Sequence, residues 1–266
     1  MTKQGSLKLL VCDLDGTLLG PMDGGLDTAR ETVEYCQAQG IKVTVATGRV
    51  FGAAERYLAY LNIDQPAIAN GGALIAELGK SPIYEKTVDK ITSLLIAEEL
   101  RQLGYPFYFL VGKHMYTEFE GPETQRYSQV LQFPIEVVSS VCTVENCPTQ
   151  IVVRVPPEDA DTLLCHLDSM WHGVTLLKSL PHLIEIQPVG VSKSNALAFL
   201  SSYMGIRKED ILTVGDGLND LDMLMWSGMK GAVSNAQDVV KKAVPYVSKK
   251  PYAEGVKDIV EKFIKC

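Results

Sequence analysis

The run Leu9-Leu10-Val11-Cys12 followed by Asp13-Leu14-Asp15-Gly16-Thr17 constrains this chain more than any other stretch. Its apolar residues read as a buried strand that ends in two carboxylates. Residues i and i+2 of a strand share a face, so Asp13 and Asp15 leave the strand on one side. Gly16 then lets the backbone turn sharply. Unpaired acids at the end of a buried strand are costly. A divalent cation and phosphoryl chemistry would account for them; so would a solvated pair of turn acids after an ordinary strand.

Three distant segments weigh on that choice. Ile41-Lys42-Val43-Thr44-Val45-Ala46-Thr47-Gly48-Arg49 is a second β-rich run, ending in a hydroxyl residue, a glycine and an arginine. Gly190-Val191-Ser192-Lys193-Ser194-Asn195 places a lysine at the start of a helical pattern. Ile211-Leu212-Thr213-Val214-Gly215-Asp216-Gly217-Leu218-Asn219-Asp220 is a strand that runs into a Gly-rich acidic turn.

The spacing of apolar residues organises the chain into two modules. Over residues 1–81 strand and helix patterns alternate: the first strand, a helix through Leu26, Ala29, Val33 and Cys36 that Gly40 stops, a strand at 41–46, a helix from Phe51 to Leu61, and a strand Ala67-Ile68-Ala69 closed by Asn70-Gly71-Gly72. The alternation returns after residue 188, with Ala196, Leu197, Leu200 and Met204 on one helical face and strands near Ile211–Val214, Gly231–Val233 and Tyr246–Val247. Such alternation predicts a doubly wound α/β fold, a parallel sheet with helices on both faces. Ligands of such sheets lie beyond the carboxyl ends of the strands, where Asp13, Thr47, Asn70 and Asp216 all fall. Residues 82–188 read as helix then paired strands, given twice: a helix through Leu95 and Leu103, strands Phe107–Val111 and His114–Thr117, a polar stretch, a strand at 151–155, a helix near Glu158–Trp171, and a hairpin of Val174–Lys178 and Leu183–Gln187. This predicts an α+β module inserted into a core of residues 1–81 plus 189–266.

Composition removes several function classes. Hydrophobic content of 46% and charged content of 21% suit a chain that buries a real core. A net charge of −7 without a basic stripe argues against a nucleic-acid partner. No apolar run approaches the roughly 20 residues of a membrane span, and Met1–Ser6 lacks the apolar segment of a signal peptide, so a cytoplasmic location is expected. The 6 cysteines form no CxxC pair, and Cys142 and Cys147 have no histidine or cysteine partners at zinc-ligand spacing. The 4 histidines, His114, His166, His172 and His182, are unclustered. Tyr105, Phe107, Tyr108 and Tyr116 could stack on a sugar, although aromatic strands more often build a core.

The motifs Asp-x-Asp-Gly-Thr, the strand-terminal Thr47, Lys193 and Gly-Asp-x-x-Asn-Asp, in this order, resemble the haloacid dehalogenase superfamily of phosphotransferases. An insertion between the second and third motifs resembles a type-two cap, a lid over the active site. Its size and strand pattern resemble the Cof-like subgroup, alongside sucrose-phosphate phosphatases and phosphomannomutases. Ala232-Val233-Ser234-Asn235-Ala236 and Glu254-Gly255-Val256 resemble that group too. The resemblance implies a Mg²⁺-dependent phosphatase acting on a small phosphorylated metabolite, with sugar phosphates the favoured class. It implies Asp13 as nucleophile and metal ligand, Asp15 as general acid and base with its carbonyl on the metal, and Asp216 as metal ligand. Leu14, Thr47, Gly48, Lys193 and Asn219 would meet the phosphate, and Asp220 would orient Lys193 or the metal shell. Arg49 could reach substrate or only cap the following helix. Asn70 could do likewise or merely turn the chain, and Asp222 reads as a surface or helix N-terminal acid. The dehalogenase branch lacks the second Asp of the first motif, and ion-pumping ATPases carry Thr there. A phosphomutase and a non-catalytic phosphometabolite-binding regulator remain as alternatives. The sequence carries no signal for oligomeric state.

Overall fold

The computed structural model describes residues 6–264; Met1–Gly5, expected to lead into the first strand, lie outside the described residues, as does Cys266. In chain order the elements begin β1 (Leu9–Cys12), α1 (Leu26–Ala38), β2 (Lys42–Val45), α2 (Phe51–Tyr60), β3 (Ala67–Ala69), β4 (Leu74–Ala76) and β5 (Tyr84–Glu85). They continue with α3 (Lys90–Leu103), β6 (Phe107–Val111), β7 (His114–Thr117), α4 (Pro122–Leu131), β8 (Glu136–Val137), β9 (Gln150–Arg154), α5 (Ala160–Met170), β10 (Val174–Leu180) and β11 (Leu183–Pro188). The last are α6 (Lys193–Met204), β12 (Ile211–Gly215), α7 (Leu221–Trp226), β13 (Met229–Ala232), α8 (Asp238–Ala243) and α9 (Tyr252–Ile264).

Two compact units result. The first holds the chain up to Gly48, residues 55–81 and everything from Ser192 onward; the second holds Arg49–Ala54 and Pro82–Val191. The turn Arg49–Ala54 groups with the second unit for a packing reason: Val50 and Ala53 are buried in one apolar cluster with Tyr108, Leu110, Val152 and Leu183. Gly52 is required there, because a Cβ would overlap the Lys113 carbonyl and the Phe133 ring.

The first unit is a parallel sheet in the order β13-β12-β1-β2. β1 lies between β12 and β2, in register Cys12↔Val214 and Cys12↔Val45. Every residue of β1 is buried, which is why its sequence is a continuous apolar run rather than an alternation. Since the chain winds outward from β1 to β2 on one side and reaches β12 and β13 on the other, the carboxyl end of β1 is a topological switch point. β3, expected as a further parallel strand, touches that sheet through the bridge Ala46↔Ile68 and otherwise pairs antiparallel with β4. α1 packs against α9, and α6 against α7. The α1 stripe Ala29, Thr32, Val33 and Cys36 is its buried face. Past its end, Gly40 is left-handed at φ +75 and lets the Ile41 N–H reach the Cys36 carbonyl, closing the helix before β2.

The second unit is a six-stranded sheet in the order β10-β11-β9-β6-β7-β8. Its pairs are antiparallel apart from β7 with β8. Ile96 and Leu100 of α3 and Leu163 and Leu167 of α5 close one face over Phe107, Phe109, Ile151, Val153, Ile184 and Ile186. Tyr108 and Leu110 point to the other face, with Tyr127 of α4. Phe107 and Tyr108 are thus core residues. α4 arises within the stretch the sequence shows only as polar. Pro122 starts it, and only Thr124 and Tyr127 of its residues are buried, which leaves too little periodicity to read.

Candidate active site

The site grows from the end of β1. Asp13 donates its backbone N–H to the Val214 carbonyl at 3.0 Å, so the ladder with β12 runs one residue past the strand and carries the side chain with it. The chain then folds back on itself. The N–H groups of Leu18 and Leu19 donate to the Leu14 carbonyl, and that of Gly16 to the Leu19 carbonyl. Gly16 sits at φ +87, and a Cβ there would overlap the Asp216 carboxylate, so glycine is needed for both conformation and space. The adjacent Thr17 hydroxyl donates to Asp216 Oδ1 at 2.6 Å. From the far side Asn235 Nδ2 donates to the Gly16 carbonyl at 2.6 Å, while its Oδ1 accepts the Tyr252 N–H. Thr17 thereby ties the first motif to the fourth, and Asn235 ties the first motif to the start of α9.

Lys193 is the first residue of α6. Ser192 caps that helix, its Oγ accepting the Asn195 N–H at 3.1 Å. Gly72 brings the turn after β3 so close that a Cβ would overlap the Ser192 carbonyl. Lys193 is 3% exposed, and its Nζ donates to Asp13 Oδ1 and to Asp220 Oδ1, each at 2.7 Å. Asp220 is itself held by two backbone donors, the N–H groups of Asp216 and Gly217, each 3.0 Å from its Oδ2. Gly215 must be glycine because a Cβ would overlap the Asp220 side chain. The order of the cluster is therefore backbone turn to Asp220, Asp220 to Lys193, and Lys193 to Asp13.

Carboxylate oxygens of Asp13, Asp216 and Asp220 lie within 4.8 Å of one another, close enough to hold a cation. Asp220 already spends its oxygens on Lys193 and two N–H groups, so Asp13 and Asp216 are the better-placed donors. The electrostatics agree. Burial, opposed by the Lys193 ammonium and reinforced by Asp220, pushes the Asp13 carboxyl well above the ordinary carboxylate range. Burial also pushes Asp216 up to about 6, although the Thr17 hydroxyl works against it. Burial alone would depress the Lys193 ammonium, but Asp13 and Asp220 together outweigh it and hold its pKa above the usual lysine value. Three carboxylates sharing one ammonium leave the cluster short of positive charge.

The other sequence candidates fall at stated places. Ala46 N–H donates to the Cys12 carbonyl, so Thr47 and Gly48 follow β2 out at the same edge of the sheet as Asp13. Thr47 is 1% exposed; its N–H meets the Ile68 carbonyl, and its own carbonyl accepts from Gly71. Asn70 is fully buried and left-handed at φ +51. Leu14 is buried, whereas the Asp15 and Asn219 side chains are exposed. Arg49 groups with the second unit. The sequence left Asn235 and Gly72 unassigned and read Asp222 as a surface or helix N-terminal acid; it lies half-buried in the first turn of α7, with a partner outside that helix. An Asn beside a Ser-rich turn and a third acid after Asp220 were visible as residues, but their partners lie far along the chain.

Known proteins resemble this chain over nearly its whole length. Residues 10–260 match the model of a family described as haloacid dehalogenase-like hydrolase. The 5-amino-6-(5-phospho-D-ribitylamino)uracil phosphatase YwtE of Bacillus subtilis is 28% identical, covering 97% of this chain and 98% of its own. A haloacid dehalogenase-like hydrolase from Bacteroides thetaiotaomicron superposes with a TM-score of 0.89 at 26% identity, covering 97% of this chain and 99% of its own. The structure of TM0651 from Thermotoga maritima follows with a TM-score of 0.86 at 26% identity, over 96% and 97% of the two chains.

Proposed function

Because this chain belongs to the haloacid dehalogenase-like hydrolases, we propose that it is a Mg²⁺-dependent phosphatase that hydrolyses a small phosphorylated metabolite through an aspartyl-phosphate on Asp13. The observation that carries this is the buried bridge Asp13–Lys193–Asp220 at 2.7 Å on each side, beside Asp216. A phosphate monoester repels nucleophiles through its charged oxygens. Asp13 can attack only where that charge is met, and Lys193 supplies a fixed cation at the attacking group.

In the first half-reaction an Asp13 oxygen bonds to phosphorus as the ester P–O bond breaks. Asp15, whose side chain is exposed and outside the buried bridge, gives its proton to the leaving oxygen. In the second, Asp15 takes a proton from water, the water oxygen attacks phosphorus, and the acyl-phosphate bond breaks to restore Asp13 and release phosphate. The N–H groups of Leu14, Asp15 and Gly48 and the Thr47 hydroxyl are the donors to the phosphoryl oxygens, with Asn219 beside them. Asp220 holds Lys193 in place throughout.

The donor set fits a hard cation: it is all oxygen, it is short of positive charge, and the Asp216 carboxyl is raised by burial. Asp13, Asp216 and the Asp15 carbonyl would hold Mg²⁺, which neutralises phosphoryl charge when bound. Residues 82–188, the inserted module of the sequence pattern and the bulk of the second unit, would be the cap that selects the leaving group. A phosphorylated sugar or polyol is the substrate class; the name of the ribitylamino-uracil phosphatase relative supports that choice. A cytoplasmic setting suits the free thiols among the described residues, Cys12, Cys36, Cys142, Cys147 and Cys165.

The test is a phosphate-release assay over sugar phosphates, nucleotides and p-nitrophenyl phosphate, with and without Mg²⁺, on wild type and Asp13→Asn. Turnover in wild type and none in the folded variant is expected, since an amide cannot attack phosphorus. Turnover that survives in Asp13→Asn would overturn the nucleophile.

A further inference from the structure

Asp222 stands two residues beyond Asp220, half-buried at the start of α7, and the mechanism above makes no use of it. Its carboxylate joins two helices. Oδ1 accepts the Met223 N–H of its own helix at 2.7 Å. Oδ2 accepts the Ser194 N–H of α6 at 3.0 Å, across 28 residues of sequence. Ser194 directly follows Lys193, so this bond fixes the peptide that carries the lysine's Cα.

We propose that Asp222 is a positioning residue for catalysis, holding the first turn of α6 so that Lys193 bridges Asp13 and Asp220. The proposal rests on the phosphatase reading above. Lys193 has a long side chain that must place one nitrogen 2.7 Å from two carboxylates at once. Such a side chain is only as well placed as its backbone. Ser192 caps the helix within its own turn, which fixes the helix but not its distance from the acids. Gly72 lets the turn after β3 press on the Ser192 carbonyl from one direction. Asp222 ties the next N–H to α7, the helix whose preceding turn carries Asp220. Lys193 and its orienting acid are thus referred to the same short segment, Asp220 to Asp222. A carboxylate is the right chemistry, because it accepts from both helix starts and suits the positive end of each.

Loss of the Asp222–Ser194 bond frees the first turn of α6 to move relative to Asp13. The cation then meets phosphoryl charge less well where that charge peaks, in the transition state, and the binding of the leaving group is untouched. Misplacement of about 1 Å can cost up to about 100-fold in rate.

The test compares kcat and KM for p-nitrophenyl phosphate in wild type, Asp222→Ser, Asp222→Ala and Asp222→Asn, with thermal unfolding of each. Asp222→Ser keeps a short acceptor at the start of α7 but cannot reach α6, so it guards against a failure to fold. It should lose about 10- to 100-fold in kcat with KM changed less than about threefold. Asp222→Asn keeps one oxygen that can take the Ser194 N–H, and its kcat should return to within about threefold of wild type. The control is Asp89→Ala, which removes a carboxylate cap from α3 in the second unit, where Asp89 accepts the Thr92 N–H at 3.0 Å. It should lower thermal stability comparably and leave kcat alone. Wild-type kcat in Asp222→Ser, or Asp222→Asn as slow as Asp222→Ser, would overturn the proposal. An equal drop in Asp89→Ala would do the same. A wild type inert towards every phosphate ester would instead overturn the phosphatase reading.

Discussion

Replacing Lys193 by Met tests the electrostatics of the site directly. Methionine keeps most of the apolar stem and removes the charge. In the native protein Lys193 is 3% exposed and pairs at 2.7 Å with Asp13, 5% exposed, and Asp220, fully buried. Removing one partner of a buried ion pair costs about 3–5 kcal/mol, because the other charge stays buried and unpaired. A domain of this size loses about 2–4 °C of Tm per kcal/mol, so roughly 6–20 °C should be lost at pH 8. The loss must depend on pH, with a definite sign. Burial holds the Asp13 carboxyl above its unfolded value, and removal of the ammonium raises it further. A raised carboxyl adds stability that is present at low pH and lost as pH rises through the folded pKa. Wild type, whose Asp13 carboxyl is itself raised, makes the same gain at lower pH, so the gap narrows only between the two folded pKa values, by about 1.4 kcal/mol for each pH unit that separates them. The Tm gap to wild type should be smaller at pH 5 than at pH 8. Melts by circular dichroism at pH 5 and pH 8, in EDTA so that no cation replaces the ammonium, measure it. Adding Asp13→Asn to Lys193→Met should restore stability by more than about 1 kcal/mol over additivity. A gap below about 2 °C at pH 8, or one that widens towards pH 5, would refute the reasoning.

Two further outcomes follow from the same cluster. Gly16→Ala must hold alanine at φ +87 and push its Cβ into the Asp216 carboxylate, so the variant should lose about 1–2 kcal/mol in a urea titration and bind Mg²⁺ at least about tenfold more weakly by calorimetry; unchanged affinity would detach Asp216 from the cation. Protons compete with the cation for Asp216, whose carboxyl titrates at about 6, so the rise in Tm on adding Mg²⁺ should be full at pH 8 and fall away below about pH 6, and a pH-independent rise would place the cation elsewhere.

The fold was legible wherever burial leaves a simple pattern. β1 and β12 are buried along their whole length; β1 reads as an unbroken apolar run, and β12 as one broken only by Thr213. The α1 stripe and the paired strands of the second unit read equally well. Legibility failed where tertiary contacts override local signals. α4 buries too little to show a period. α9 went unread as a helix, and Gly255 stands inside its otherwise amphipathic pattern. That glycine answers a distant demand: a Cβ would overlap the Lys250 carbonyl and crowd Val233. β3 has the composition of a core strand, yet its pairing with β4 depends on the Asn70–Gly72 turn, where left-handed Asn70 and Gly71 reverse the chain.

The site divides along the same physical line. Asp13, Lys193, Asp216 and Asp220 stood out as charged residues at strand ends and a helix start, and the resemblance of the four motifs supplied their expected roles. The structure brings all four together in the first unit. What escaped is the scaffold that fixes their distances: Thr17 to Asp216, Asn235 to Gly16, Gly72 against Ser192, and Asp222 to Ser194. Each joins residues that lie 28 or more positions apart, and each uses a small or ordinary polar residue that a loop would carry anyway. A sequence displays the groups that do chemistry because charge near a core is exceptional. The groups that hold them look like surface. In the proposed reaction the rate would depend on both alike: an ammonium that can roam by an ångström among three carboxylates is only a counter-ion, whereas one pinned through the Ser194 peptide to Asp222 and by its nitrogen to Asp220 would be placed to stabilise a transition state.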